Sequence, residues 1–301
     1  MKDFKVAVIV SPDRSDLYFA NQLIRRLNVV GVVVESQRYP QDDTPVIKKA
    51  MRLAKKPHVL FKRVMEKISE IFRGRFAVYN KTENITDFGQ EGLDLYPQGD
   101  CKTLHTTGVN DINAQDNVDW LQHLMPDVIA VCGASIIKED ILNIPPKGVL
   151  NLHGGLSQKY RGLFTTDWAI FNEEPEYIGA TVHYIAPGID DGEVIYQGRP
   201  KLAPDDNPST IYEKVVKLGI NMMEQAVKDI ERGSIRATKL EIKGDLYLRR
   251  MFTPAVESAT WKKIRRGLIT DYLDNKENRD KRVLSQIIND FNSPPAQVDN
   301  P

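Results

Sequence analysis

The chain has 301 residues, 41% hydrophobic and 27% charged with 17 prolines, which suits one large or two unequal globular domains and excludes disordered, collagen-like and coiled-coil architectures. Lys plus Arg equals Asp plus Glu at 41 each, so the chain as a whole carries no electrostatic footprint for nucleic acid or a membrane, and a polyanion would have to be met locally. Two cysteines, Cys101 and Cys132, cannot build a disulfide framework, and no Cys/His cluster has zinc-ligand spacing, so no metal is expected and a reducing cytoplasm is the expected location.

The apolar run at residues 4–10 is too short for a signal sequence or a membrane span and reads as a first strand. Residues 13–28 place Leu17, Ala20, Leu23, Ile24 and Leu27 at helical spacing before a β-rich run at 29–35, which gives a β-α-β opening. A basic stretch at 45–75, with a break at Pro57, reads as an insertion of one or two amphipathic helices. A short strand is expected near Leu104, a helix over 113–125, and buried strands over 127–133 and 147–153.

Beyond these, 165–172 reads as a helix, 178–185 and 193–202 as an antiparallel strand pair, and 209–233 as a long helix with an Asn-Pro-Ser start and a glycine stop. The alternation predicts an α/β fold with a mostly parallel central sheet. After residue 235 the pattern changes to a β-like stretch at 238–242 and charged helical stretches at 256–274 and 280–291, ending in a Pro/Asn/Asp tail. The expected division is therefore a main α/β domain at 1–235 and a small, largely helical extension at 236–301.

Several chemistries are absent from the sequence. Residues 11–15, Ser-Pro-Asp-Arg-Ser, stand where a G-x-G-x-x-G would follow the first strand, and neither a Walker loop nor a G-x-S-x-G elbow occurs. The informative region runs from 151 to 192. Asn151 and His153, two apart at the carboxyl end of a strand, share one face, and such strand ends are where open α/β sheets bind ligands. A polar loop with Lys159, Tyr160 and Arg161 follows, then His183 in a strand, then the acidic turn Gly188-Ile189-Asp190-Asp191-Gly192. Each piece alone has an ordinary structural reading. Brought together, an amide, an imidazole and a carboxylate can polarise a carbonyl, hold its oxyanion and move a proton, as acyl transfer requires. No serine or cysteine stands out as a nucleophile, which favours direct attack by an acceptor.

Asn151-x-His153, Lys159-Tyr160-Arg161-Gly162, Gly179-Ala180-Thr181-Val182-His183 and Ile189-Asp190-Asp191-Gly192, in that order, resemble the folate-dependent formyltransferases, which act on glycinamide ribonucleotide, methionyl-tRNA or amino sugars. The resemblance is strong over 126–201 and weaker in the first strand unit. It implies a Rossmann-like formyltransferase fold, N10-formyltetrahydrofolate as co-substrate, and Asn151, His153 and Asp190 as catalytic residues. It implies further that Val131, Gly133, Ala134, Ser135, Ile136, Ile137, Gly188 and Asp191 hold the folate, and that Lys159, Tyr160 and Arg161 contact the acceptor. For 133–137 the alternative is a plain strand-to-helix turn.

The chain departs from the family pattern at His153-Gly154-Gly155-Leu156-Ser157-Gln158, where His-Pro-Ser-Leu-Leu-Pro is usual, and lacks the glycine-rich phosphate loop after strand one. A methionyl-tRNA enzyme would continue into a basic β-barrel, and a formyltetrahydrofolate hydrolase would carry a domain ahead of strand one. The expected acceptor is thus a small amine, foremost a nucleotide-linked amino sugar; nucleic acid and membrane are not expected partners, and a homodimer is open. Lys48, Lys49, Arg52, Lys55, Lys56, Lys62 and Arg63 would either meet a diphosphate or polyglutamate tail or form a solvated helix face, and Tyr247-Leu248-Arg249-Arg250 has the same two readings.

Overall fold

The computed structural model describes residues 4–36, 88–108, 110–186 and 192–293. By contacts the chain divides into one compact unit of Met1–Gln37 with Asp87–Pro301 and a second of Arg38–Thr86. The basic stretch at 45–75, the turn residues Gly188, Ile189, Asp190 and Asp191, and the tail from 294 lie outside the described residues.

The first unit is built on a seven-stranded sheet in the order β3-β2-β1-β4-β5-β7-β8. Its strands are β1 (Val6–Val10), β2 (Val29–Val34), β3 (Lys102–His105), β4 (Val128–Cys132), β5 (Val149–His153), β7 (Ala180–Tyr184) and β8 (Val194–Gly198). Strands β1 to β5 are parallel neighbours, β7 runs antiparallel to β5, and β8 antiparallel to β7. The first two strands are runs of Val, Ala, Ile and Gly because both faces of a parallel sheet are covered, and every residue of β1 is buried. The chain passes outward from β1 through β2 to β3, then returns to place β4 on the other side of β1. This reversal opens a crevice at the carboxyl ends of β1 and β4, the usual ligand position in such sheets.

Helix α1 (Arg14–Arg26) returns the chain from β1 to β2, and α2 (Gln115–Leu124) precedes β4, ending on Met125 with φ 49°. The one-turn α3 (Glu139–Leu142) and α4 (Thr165–Phe171) follow β4 and β5. The long α5 (Pro208–Arg232) starts at Asn207, whose side chain accepts from the Ser209 and Thr210 amides, and stops at Gly233 with φ 71°. Its apolar stripe, including Ile211, Val215, Ile220, Met223 and Val227, is buried in the same core as Leu150, Leu152 and Val182 of β5 and β7.

The C-terminal part departs from the expected pattern in two places. The helical stretch expected over 256–274 is broken by Gly267 at φ 94° into α6 (Pro254–Arg265) and α7 (Leu268–Asp274). The stretch expected as a helix over 280–291 is helical only to the end of α8 (Lys276–Leu284), and the chain then lies along β8. There the Phe291 amide donates to the Gln197 carbonyl at 2.8 Å, and the Ile288 amide to Gln197 Oε1 at 2.9 Å. The first of those bonds, together with the Gln197 amide donating to the Asn289 carbonyl at 3.4 Å, covers backbone of β8, the edge strand, which helical continuation would leave open. A buried pair, Arg199 with Asp280 at 2.6 Å, fixes α8 to the strand end. The β-like stretch expected at 238–242 contributes a single bridge, Thr238 to Val194, while β9 (Asp245–Tyr247) pairs with β6 (Tyr160–Gly162) in a two-stranded sheet.

Candidate active site

Asn151 and His153 stand at the carboxyl end of β5, next to β4 on one side and β7 on the other. Register pairs Asn151 with Val131 of β4 and with His183 of β7, and His153 with Thr181. Asn151 Nδ2 lies 3.2 Å from His183 Nε2. His153 is 5% exposed, and its Nε2 lies 2.8 Å from the Tyr160 carbonyl oxygen. A carbonyl only accepts, so Nε2 carries a hydrogen.

The loop after β5 shows why a glycine stands at 155, where the resemblance led us to expect serine, whereas a Cβ at Gly154 would make only ordinary contacts. A Cβ on Gly155 would come within 2.8 Å of His153 Nε2 and 2.9 Å of Thr165 Cβ. The carbonyls of this loop are taken by hydroxyls, Thr165 Oγ1 donating to Gly154 O and Thr181 Oγ1 to Gly155 O, both at 2.7 Å. The rim beside His153 is therefore clamped backbone with no side chain on it.

Across the switch point, the crevice holds a carboxyl group that the sequence reading did not single out. Asp16, in the first turn of α1, accepts from Ser11 Oγ at 2.6 Å and from Ser15 Oγ at 3.0 Å, with Cys132 Sγ at 3.6 Å. Burial pushes its carboxyl up to about 6 against the hydroxyl donors, with the Asp13 charge adding to the rise. Gly133 has φ 72°, and a Cβ there would overlap Asp16 Oδ2. That glycine is thus demanded by the packing of Asp16 as well as by its own backbone. Burial and the same carboxyl push the Cys132 thiol well above its ordinary range, which keeps it protonated and a poor nucleophile.

The segment 133–137 is held from the β2 side. Glu35, 3% exposed, accepts from the Ser135 amide and hydroxyl, each at 2.7 Å, and from the Ile112 amide at 3.3 Å. Asn113 Nδ2 donates to the Ile136 carbonyl at 2.9 Å, and the Lys138 amide donates to Asn113 Oδ1 at 2.8 Å. Val131 and Ile137 are buried while the Ile136 side chain is 73% exposed, so a pinned polar backbone presents one apolar side chain to the outside. Replacing Glu35 with alanine should cost about 2–4 kcal/mol in urea unfolding, because it leaves the buried Ile112 amide and the half-buried Ser135 amide and hydroxyl without their acceptor. Glu35→Gln, which keeps an acceptor oxygen, should lose less than half of that.

A family model described as formyl transferase matches residues 76–227, which includes β3 to β8 and most of α5. The chain belongs to the formyl transferase family. A methionyl-tRNA formyltransferase from Caldanaerobacter subterraneus subsp. tengcongensis is 32% identical over 143 residues, 47% of this chain and 45% of that protein. The chain spans about half the length of the curated relatives it matches. Among solved structures, a 4-N formyltransferase from Francisella tularensis has a TM-score of 0.50 at 18% identity, covering 86% of this chain and 87% of its own. A sugar N-formyltransferase from Shewanella sp. has the same TM-score and coverage at 13% identity. These two likenesses show the fold, a Rossmann-like formyl transferase fold with a mostly parallel sheet and a helical C-terminal region, as expected from the sequence.

Within this formyl transferase, the loop residues Lys159, Tyr160 and Arg161 hold the protein together. Tyr160 is 1% exposed; its carbonyl takes His153 Nε2, its hydroxyl donates to the Glu174 carboxylate, and Asn172 Nδ2 donates to that hydroxyl at 3.1 Å. Lys159 Nζ pairs with Glu174 at 2.9 Å, and Arg161 Nε donates to the Gly244 carbonyl at 2.9 Å. Of the residues named from sequence, Asn151 and His153 are brought together with Val131. The segment 133–137 stands at the carboxyl end of β4, one strand away. Asp16 and Glu35 are the additions, and His183, which the sequence placed in a strand without giving it a role, stands beside Asn151. His183 could have been found from the antiparallel register opposite Asn151, and Glu35 and Asp16 from carboxylates at the end of β2 and directly after β1. Among the described residues no group of His, Cys, Asp and Glu is placed to hold a metal ion, and no helix is long and apolar enough to cross a membrane.

Proposed function

We propose that this formyl transferase moves the formyl group of N10-formyltetrahydrofolate to the amine of a small acceptor, and that the acceptor is a nucleotide-linked amino sugar. The observation that carries the chemistry is the placement of Asn151 and His153 on one face at the end of β5, beside the crevice where β4 ends. The folate supplies an activated formyl carbon. The protein supplies the rest: Asn151 donates an amide hydrogen to the formyl oxygen as it gains negative charge, and His153 takes a proton from the adding amine at Nδ1 and returns it to N10 of the folate as the bond between N10 and the formyl carbon breaks, which releases tetrahydrofolate. Asp190, seven residues after His183 in the acidic turn, orients His153. The pinned segment 133–137 with exposed Ile136 fits a flat heteroaromatic ring that needs an apolar face and backbone partners.

The nucleotide part of the proposal draws on side chains in the residues after the sheet. Residues 236–293 form α6 to α8 and the three-residue β9, and they pack back onto β8 and α4. Arg249, whose guanidinium lies 5.9 Å from the Phe164 ring centroid, and neighbouring Arg250 offer charge for a diphosphate beside exposed aromatic surface. The second reading, methionyl-tRNA as acceptor, is favoured by the name of the relatives at 32% identity.

A competition decides between them. With N10-formyltetrahydrofolate at saturation, release of tetrahydrofolate should be fastest with a panel of dTDP- and UDP-linked amino sugars. A higher kcat/KM with charged initiator tRNA, glycinamide ribonucleotide or free amino acids would remove the sugar assignment, and formate released without any amine would make the protein a hydrolase.

A further inference from the structure

Asn151 has an amide whose two ends are chemically opposite, and the proposed chemistry needs the nitrogen end at a definite place. An asparagine amide turns over by rotation about its last side-chain bond, so something must hold it. Two contacts of His183, which is 3% exposed, bear on this. Its Nδ1 lies 2.8 Å from the Tyr184 carbonyl oxygen, and its Nε2 lies 3.2 Å from Asn151 Nδ2. The carbonyl can only accept, so Nδ1 carries the hydrogen, and a neutral ring then has a bare lone pair at Nε2. That lone pair can receive an N–H and would be repelled by the amide oxygen.

We infer that His183 is a positioning residue that, as the Nδ1–H tautomer, holds the Asn151 amide with its nitrogen end fixed by Nε2, so that the second hydrogen of the same nitrogen is set for the formyl oxygen. Gly192 supplies part of the same device. A Cβ on Gly192 would overlap the Tyr184 carbonyl oxygen and come within 3.3 Å of His183 Nδ1. Only glycine at 192 lets its own backbone lie directly against the carbonyl that sets the tautomer. The inference rests on the proposed formyl transfer for its kinetic consequence, while the tautomer itself can be read without any reaction.

The test has a spectroscopic and a kinetic arm. In the wild-type protein labelled with 15N at histidine, His183 should show a protonated Nδ1 and an unprotonated Nε2 at neutral pH; the reverse tautomer would overturn the inference whatever the activity. His183→Met, of similar length and without an acceptor at that point, should lower kcat by roughly ten- to a hundredfold while KM for the formyl donor changes less than about threefold. His183→Gln, which restores an acceptor oxygen near the Nε2 position, should recover most of the loss. In an Asn151→Ala background the His183→Met exchange should change kcat less than about twofold, since His183 acts through Asn151. Additive losses in that cycle would show a role independent of Asn151 and overturn the inference. A wild-type protein inert toward every acceptor of the panel, with the Nδ1–H tautomer present, would support the orientation and overturn only the formyl-transfer reading.

Discussion

His153→Ala should lower kcat for formyl transfer by at least about a hundredfold, the usual scale for an acid-base group, and Asn151→Ala by a comparable factor if its amide meets the developing oxyanion. The two losses have different origins. His153 is anchored through Nε2 to the Tyr160 carbonyl, so its removal deletes the proposed proton acceptor and leaves one buried carbonyl without a donor. Asn151 is partly exposed at the middle of the strand end, and its removal leaves the β4, β5 and β7 pairing in place. Steady-state kinetics at saturating N10-formyltetrahydrofolate should therefore show the fall in kcat, with near-wild-type unfolding for Asn151→Ala. Near-normal turnover in both variants would sink the site assignment, and an Asn151→Ala effect confined to KM would make that residue a binding group.

The second large effect is on stability. Asp16 has its carboxyl raised from 3.8 to about 6 in the fold, first by burial. The folded state therefore holds the proton more tightly than the unfolded chain, and stability present below pH 4 is lost as pH rises from about 4 through 6. A shift of two units corresponds to about 3 kcal/mol. Asp16→Asn removes the ionisation; Ser11 and Ser15 bond different oxygens of the carboxyl, so the amide oxygen accepts from one hydroxyl and the amide nitrogen donates to the other. Denaturant unfolding at pH 4 and pH 8 should show the variant losing about 3 kcal/mol less than the wild type across that interval. Asp167, pushed up to about 7 by burial and then by Glu257, adds its own slope to both proteins, so the difference between them isolates Asp16. Parallel stability profiles for the two proteins would refute the assignment of a buried, reluctantly ionised carboxyl at the switch point.

Asp16 also marks the limit of what spacing along the chain can reveal. On sequence it sits one position before Leu17, the first residue of the apolar stripe of α1, and looks like an ordinary first-turn acid. What makes it unusual is Cys132 and Gly133, more than a hundred residues on, which close over it because β4 is inserted beside β1. Glu35 has the same history: its partners Ile112 and Ser135 come from other elements, Ser135 a hundred residues away. The Lys159-Tyr160-Arg161 run reads as polar and available, yet Glu174 and Gly244 engage it. Burial of a polar group depends on which distant element packs against it, and no local pattern encodes that.

By itself the sequence determined the elements and the chemistry-bearing strand end. Periodicity of 2 or 3.6 and the start and stop residues of α5 are local physical constraints, and Asn151 with His153 share a face because residues two apart on any strand do. The tertiary structure alone decided the strand order that opens the crevice between β1 and β4, the carboxylates and glycines that shape it, and the pairing of His183 with Asn151. It also decided that residues 286–292 follow β8, since the edge strand offers hydrogen bonds that a helix there would forgo. These depend on contacts between residues far apart in the chain, whose free energy appears only once the sheet is assembled.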